Sequence, residues 1–386
     1  MRSSSTINRV QTPIIPTVGE WVRNTPGTLS LGQGMVAYPP PAECLAAIQQ
    51  FGAQAAEHYY GVSLGDAALI DLIEHKLKQE NGLDCRRGYR VMVTAGANMA
   101  FLNVLLALVD PGDEVILPLP YYFNQEMAIR MLNAVPVTVP TAADYQLDVD
   151  TIAAAITPKT RAIVTVSPNN PTGAVYSEAS LRAVNRLCRD HGLVHISDEA
   201  YEYFVYEDAR HFSSGSIDGA EAYTISLFSL SKAYGFASWR VGYAAVPEAL
   251  IPALLKVQDT NLICPPLITQ KAAYAALTVG SAYCKAQLPH LQQVREQVLA
   301  ALKQSSAICP MTPTQGAFYQ LVKLNTERND LALVHNLVRD YKVAAIPGSA
   351  FGLQDGAYLR LSYGMLDLER ASVAMERLLT GLAALC

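Results

Sequence analysis

The sequence predicts an α/β fold: a mostly parallel sheet covered by helices on both faces, followed by a smaller α+β unit. Two observations carry that reading. From Tyr89 onward, short β-branched runs alternate with helical patterns, as chained βαβ units require. After Pro247 the alternation stops, long helical patterns take over, and short strands return only beyond Cys309. Strands are expected over 91–94, 114–117, 135–139, 162–166, 194–197 and 224–228. Helices are expected between them over 97–109, 122–132 and 178–191, with Asp110-Pro111-Gly112-Asp113 as a turn. Beyond Pro247 the pattern gives helices over 248–255, 267–277, 281–305, 330–341 and 366–379, and strands over 317–322 and 358–362. The proline-rich N-terminal part (Pro13, Pro16, Pro26, Pro39, Pro40, Pro41) is expected to be mostly extended and to pack with the C-terminal part. That divides the chain into a large domain over 46–280 and a small one made of 1–45 with 281–386.

Composition narrows the function. The 386 residues are 51% hydrophobic and 16% charged, enough for a large core and too apolar for disorder. A net charge of −5 gives no footprint for nucleic acid or an anionic membrane. The longest apolar stretch, 100–109, is too short to span a bilayer, and the polar start (Met1 to Arg9) carries no signal-peptide core. Seven scattered cysteines, without C-x-x-C, point to reduced thiols in a cytoplasmic protein. No Cys, His and carboxylate cluster has metal spacing, so no metal is expected.

The most informative stretch follows the strand over 224–228 and runs from Ser229 through Ser231 and Lys232 to Arg240. A lysine amine forms an imine with an aldehyde, while hydroxyls and a guanidinium hold a phosphate. Pyridoxal 5′-phosphate (PLP) carries both groups. Two other motifs mislead. Gly32-Gln33-Gly34-Met35-Val36-Ala37 matches the dinucleotide fingerprint, but Tyr38-Pro39-Pro40-Pro41 forbids the helix that fingerprint needs. Ser229-x-x-Lys232 matches a serine acylase, yet no S-D-N or K-T-G accompanies it.

Further candidates lie where strands end, which is where ligands of open α/β sheets sit. Asp198-Glu199-Ala200-Tyr201 ends one strand; by itself Asp198 could be a helix cap. Ser167-Pro168-Asn169-Asn170-Pro171-Thr172-Gly173 ends another, a rigid loop able to hold the Asn170 amide against a ligand oxygen. Gly96-Ala97-Asn98 opens a helix whose free N–H groups attract phosphate. Tyr122 could cover a flat ring or belong to the core. Arg360, within an apolar strand, could form an internal salt bridge or bind a substrate carboxylate.

With Asn170-Pro171-Thr172-Gly173, Asp198-Glu199-Ala200-Tyr201, Ser229-Leu230-Ser231-Lys232 and Arg240 in this order and separation, the chain resembles the class I/II, fold-type I aminotransferases of the aspartate aminotransferase superfamily. The likeness runs from Leu31 to Arg360. It implies a seven-stranded type of sheet in the large, PLP-binding domain. It implies that Lys232 forms the internal aldimine and shuttles the proton, and that Asp198 pairs with the pyridine nitrogen. Tyr201 and Asn170 bond the phenolic oxygen, while Ser229, Ser231, Arg240 and the Gly96, Ala97 and Asn98 backbone hold the phosphate. Tyr122 stacks on the ring, Arg360 grips the substrate carboxylate, and Gly34 lines the substrate side. Tyr60, five residues before Gly65, matches a tyrosine that reaches the neighbouring subunit's phosphate, implying a homodimer. The implied reaction is ping-pong transfer from an L-amino acid to a 2-oxo acid, 2-oxoglutarate first among them. A PLP-dependent C–S β-lyase would share these anchors. The chain departs from the family at 259–264, which lacks the arginine of dicarboxylate enzymes, and at 34–38, where the Gly-x-Pro-x-Phe element has lost its proline.

Overall fold

The computed structural model describes residues 2–386. Its strands are β1 (Leu29–Ser30), β2 (Tyr89–Thr94), β3 (Glu114–Leu119), β4 (Val135–Pro140), β5 (Thr160–Val166), β6 (Val194–Asp198), β7 (Thr224–Ser229), β8 (Gly242–Pro247), β9 (Tyr319–Leu324), β10 (Val343–Ala344), β11 (Ile346–Pro347) and β12 (Ala357–Ser362). Its helices are α1 (Ile14–Arg23), α2 (Ala42–Gln49), α3 (Ala67–Glu80), α4 (Ala97–Leu108), α5 (Phe123–Met131), α6 (Val149–Ala154), α7 (Glu178–His191), α8 (Leu230–Ala233), α9 (Ile251–Asn261), α10 (Leu267–Val279), α11 (Ser281–Gln304), α12 (Asp330–Tyr341) and α13 (Leu368–Leu385). No helix among the described residues is long and apolar enough to cross a membrane.

Seven strands form the main sheet in the order β2-β8-β7-β6-β5-β3-β4. All pairs are parallel except those of β8, which runs against β2 and β7. Successive side chains of a strand point to opposite faces, so neighbours in sequence serve different cores. Leu117 and Val164 pack with Phe101, Val104 and Leu105 of α4. Ile116 and Ile163, one residue away, pack with Leu181, Val184 and Cys188 of α7. Burial on both faces makes these strands read as continuous apolar runs rather than alternating ones. Helix ends follow local chemistry: Ser177 caps α7 by accepting from Ser180 N at 3.1 Å, and Gly192 closes it in the left-handed region.

The C-terminal third builds a second, antiparallel sheet, β11-β12-β9, in which Arg360 sits opposite Leu321 and Ser362 opposite Tyr319. The N-terminal segment joins this part: β1 pairs in parallel with β10, and Ile14 and Val18 of α1 share a core with Leu333, Val334 and Leu378.

Two sequence expectations need correction. The N-terminal part is not mostly extended, because α1 and α2 lie within it. Pro13 and Pro41 precede these helices as N-caps, and Pro16 sits in the first turn of α1, where a backbone N–H has no intrahelical partner to lose. The strand β8 was also not foreseen. Its Gly-Tyr-Ala-Ala-Val-Pro run is short and low in β-branching, and its pairing with β2 and β7 supplies the stability its propensity lacks.

Candidate active site

The carboxyl ends of β5, β6 and β7 face one cavity of about 200 Å³. Around it stand all the residues singled out from the sequence except Gly96, which lies directly behind it, and Tyr60.

One end of the cavity is built for an anion. Ser229 closes β7 and caps the short α8, its Oγ accepting from Ser231 N at 3.1 Å. Arg240 approaches from the far side of the turn, with Nη1 3.5 Å from Ser231 Oγ and Nη2 3.3 Å from Ala95 O. Its backbone has a φ of +56°, a strained conformation for a residue with a side chain. The N-terminus of α4 completes this end: Ala97 and Asn98, whose first-turn amides have no intrahelical partner, line the cavity. Gly96 lies at φ +87°, a conformation that strains residues with a side chain, and a Cβ there would come within 2.6 Å of Arg240 Nη2 and push the guanidinium aside.

Lys232 lies in the middle on α8, its Nζ donating to Gly34 O at 2.6 Å. Burial, then the Arg360 and Arg240 charges, lower its amine to about 8. Because Nζ donates to Gly34 rather than to Ser229, the Ser-x-x-Lys motif does not assemble a nucleophile–base pair. Asp198 ends β6 and is 6% exposed. It accepts from Gln125 Nε2 at 2.9 Å and from Ala200 N at 3.2 Å. Burial, aided by the Glu199 charge, raises its carboxyl to about 6, so it is mostly ionised at neutral pH. Tyr122, at the start of α5, accepts at its hydroxyl from Asn124 Nδ2 at 2.8 Å.

Arg360 is 2% exposed, and its hydrogen bonds go to neutral groups: Nη1 to Asn170 Oδ1 at 3.0 Å and Nη2 to Gly32 O at 2.6 Å. Its Nε has no partner. The internal salt bridge that sequence allowed is therefore not formed. The guanidinium lies between two rings, 4.6 Å from Tyr319 and 5.2 Å from Phe351. Asn170 Nδ2 donates to Tyr201 OH at 3.4 Å, and Tyr201 OH meets Tyr319 OH at 2.7 Å. Arg360, Asn170, Tyr201 and Tyr319 thus close a ring of contacts. Burial and the neighbouring hydroxyl keep the Tyr201 phenol protonated, far above its usual range.

Tyr60 stands apart, 80% exposed in a surface groove with Tyr59, Cys264 and Ile268. Residues that sequence reasoning missed are Gln125, Tyr319, Phe351 and the cavity wall of Ile15, Met35 and Phe123. No sequence signal marked them; Tyr319 falls inside the strand expected over 317–322 and reads there as core.

The donor set fits PLP on chemical grounds: an anion clasp, a buried carboxylate, an amine of lowered pKa between them, and a phenol and amide to one side.

A family model described as aminotransferase class I and II matches residues 26–378. The chain is 32% identical over 359 residues to aspartate aminotransferase of Pyrococcus abyssi, covering 91% of each chain. It is 30% identical over 361 residues to aromatic-amino-acid aminotransferase 2 of Thermococcus litoralis, covering 92% of each. Among solved structures, a single mutant of Thermus thermophilus aspartate aminotransferase superposes with a TM-score of 0.90 at 30% identity, over 99% of this chain and 100% of that one.

Proposed function

The chain belongs to the class I and II aminotransferases, and from that premise we propose that it moves the amino group of an L-amino acid to a 2-oxo acid by ping-pong turnover on PLP, the cofactor of this fold-type I family. The observation that carries the reading is the gathering of Lys232, Asp198 and the Ser229–Ser231–Arg240 clasp around one cavity.

Each residue then has a task. Ser229, Ser231, Arg240 and the Ala97 and Asn98 amides would hold the phosphate, with Gly96 leaving room for the Arg240 guanidinium. Asp198, ionised above about pH 6, keeps a proton on the ring nitrogen. Tyr201 and Asn170 would bond the phenolic oxygen, and Tyr122 would cover the ring face. When bound, PLP supplies the electron sink for the charge left as the Cα proton departs. Lys232 Nζ would hold the cofactor covalently, and as a free amine of lowered pKa it would be a base of suitable strength to take the Cα proton and give it up again. Arg360, oriented by Asn170 and Gly32 and with Nε unpartnered, presents its planar fork to the substrate carboxylate. Gly34 lines the substrate's path. One cavity serves donor and acceptor in turn, with 2-oxoglutarate the acceptor proposed first.

The same reading assigns 46–280 to cofactor binding and 1–45 with 281–386 to a smaller domain that brings Arg360 to the site. Supporting this, β1 pairs with β10 and α1 packs beside α12. A homodimer is proposed, with the exposed Tyr60 reaching the neighbouring subunit's phosphate. The seven unpaired cysteines suit the cytoplasm.

The test is absorbance and trapping. Purified protein reconstituted with PLP should absorb in the near-ultraviolet to blue, and borohydride should fix the cofactor on Lys232. A fixed adduct that persists in Lys232→Ala, or a protein that takes up no PLP, refutes the assignment. Pyruvate and ammonia released from a cysteine conjugate without any 2-oxo acid would point to the lyase instead.

A further inference from the structure

We propose that Gln125 is the positioning residue for Asp198, and that Tyr176 steadies it from behind across one buried water molecule; this rests on the PLP reading above. The Asp198 carboxylate has a protein donor on each oxygen. Ala200 N meets Oδ1 at 3.2 Å, and Gln125 Nε2 meets Oδ2 at 2.9 Å. One bond alone leaves a carboxylate free to turn about its Cβ–Cγ bond, whereas a bond to each oxygen fixes its plane. Gln125 is 2% exposed and lies in the first turn of α5, three positions after the N-cap Tyr122. The helix that brings Tyr122 to the cavity therefore brings the Asp198 donor as well. The groups that act on this carboxylate come from several elements. Burial raises it to about 6, and the Glu199 charge beside it adds to the rise; the Ala200 and Gln125 donors and the Lys232 charge on α8 restrain it. The Tyr122 hydroxyl on α5 also lies within reach of its charge. A primary amide neither gains nor loses a proton near neutral pH, so Gln125 donates throughout the working range. Without it, Asp198 would take up its proton at higher pH and hold its charge over a narrower range.

The amide can face only one way. Its nitrogen donates to the carboxylate, and an amide oxygen in that place would be repelled. Oε1 is thereby turned from Asp198, and it is buried with no partner among the described residues. A buried acceptor is costly unless something donates to it. Tyr176 supplies the complement. Its buried hydroxyl accepts from Asn169 Nδ2 at 3.2 Å, and among the described residues no acceptor takes its own proton. Gln125, Asn169 and Tyr176 line one small cavity of about 10 Å³, walled mainly by apolar side chains, Leu117, Val164 and Val166 among them. That is about the room one water molecule needs, and a water there accepts from Tyr176 and donates to Gln125 Oε1. The line of bonds then runs from Asp198 through Gln125, the water and Tyr176 to Asn169. Asn169 is the neighbour in sequence of Asn170, whose amide faces the other edge of the cofactor in the reading above.

The experiment takes the full chain freed of cofactor and measures its Kd for PLP by absorbance across about pH 5 to 8. Gln125→Met keeps the volume and removes the donor. Its Kd should rise about tenfold at neutral pH. The loss of affinity on acidification, as Asp198 takes up its proton, should set in about one pH unit higher than in the parent. A Kd and a midpoint that both match the parent's overturn the positioning role. A uniform weakening with the midpoint unmoved also overturns it, since a merely structural part would cost the same at every pH. Tyr176→Phe keeps the ring and removes the hydroxyl; its Kd should rise by about threefold, and an unchanged Kd overturns the support from behind. A crystal structure of the holoenzyme at about 1.5 Å should show one water within hydrogen-bond distance of Gln125 Oε1 and the Tyr176 hydroxyl, and an empty cavity overturns that bridge. A parent protein that takes up no PLP at any pH sinks the PLP reading itself, which separates the two failures.

Discussion

Lys232 carries its charge at a cost set by its surroundings: a buried amine near two guanidinium groups titrates at about 8 instead of its usual 10.5. The sign of the consequence follows directly. A lowered pKa in the folded state contributes stability above the unfolded value, lost as pH falls toward the folded one. Between pH 10.5 and 8, the cofactor-free protein should lose roughly 3 kcal/mol from this group. Lys232→Met removes that slope, so the variant should gain on the parent as pH is lowered through this window; urea midpoints at pH 8 and 10 measure it. Parallel stability curves would show that the amine is not held in this environment. Lys232, Asp198 and Arg240 were legible because strand ends and short motifs place them without reference to distant chain. Gln125 was not, since a glutamine in an amphipathic helix says nothing about the Asp198 carboxylate 73 positions on that it meets. Tyr319 and Phe351 escaped for the same reason: each looks like core until Arg360 lies between them.

Among elements, the segment over 32–35 shows how irregular backbone does what a helix or strand could not. It passes close to Tyr319, and a Cβ on Gly34 would lie 2.5 Å from the Tyr319 hydroxyl. Gly34→Ala should therefore raise the KM for the amino acid by an order of magnitude or more, with a smaller effect on kcat. Tyr319→Phe removes the clashing oxygen, so the double variant should recover part of the loss. Absence of any recovery would place the cause in the backbone of residue 34 instead of the contact. Pro39, Pro40 and Pro41, which follow this segment, exclude a helix directly after Gly34, and none begins before Ala42. The same prolines also suggested too little structure, because their place at helix starts is set by the residues that follow them. In β8 the failure was of the opposite kind: pairing with two neighbours made a strand from residues with weak preference for one.

Over the whole molecule, the large exposed side chains Tyr59, Tyr60, Val62, Ile263 and Ile268 are 70%, 80%, 67%, 41% and 37% accessible, more apolar surface than an isolated subunit keeps without use. Sedimentation should show a dimer, and Tyr60→Phe should leave it intact while raising the Kd for PLP by about tenfold, the loss of one hydrogen bond to a charged group. A monomer at micromolar concentration would remove the basis for a shared site. The layered architecture was legible from the alternation of strand and helix patterns, whereas the proposed dimer rests on the exposed apolar surface around Tyr60. The ring of Arg360, Asn170, Tyr201 and Tyr319 adds one more consequence at this scale. It joins β12 and β9 of the small sheet to the loop after β5 and the end of β6 in the large one. On the proposed roles Arg360 would meet the amino acid while Asn170 and Tyr201 would meet the cofactor, so the two ligands would share a single set of bonds. Thermodynamic linkage then makes their influence mutual: by whatever factor an occupied Arg360 tightens the hold on the cofactor, the cofactor tightens the hold on a carboxylate by the same factor.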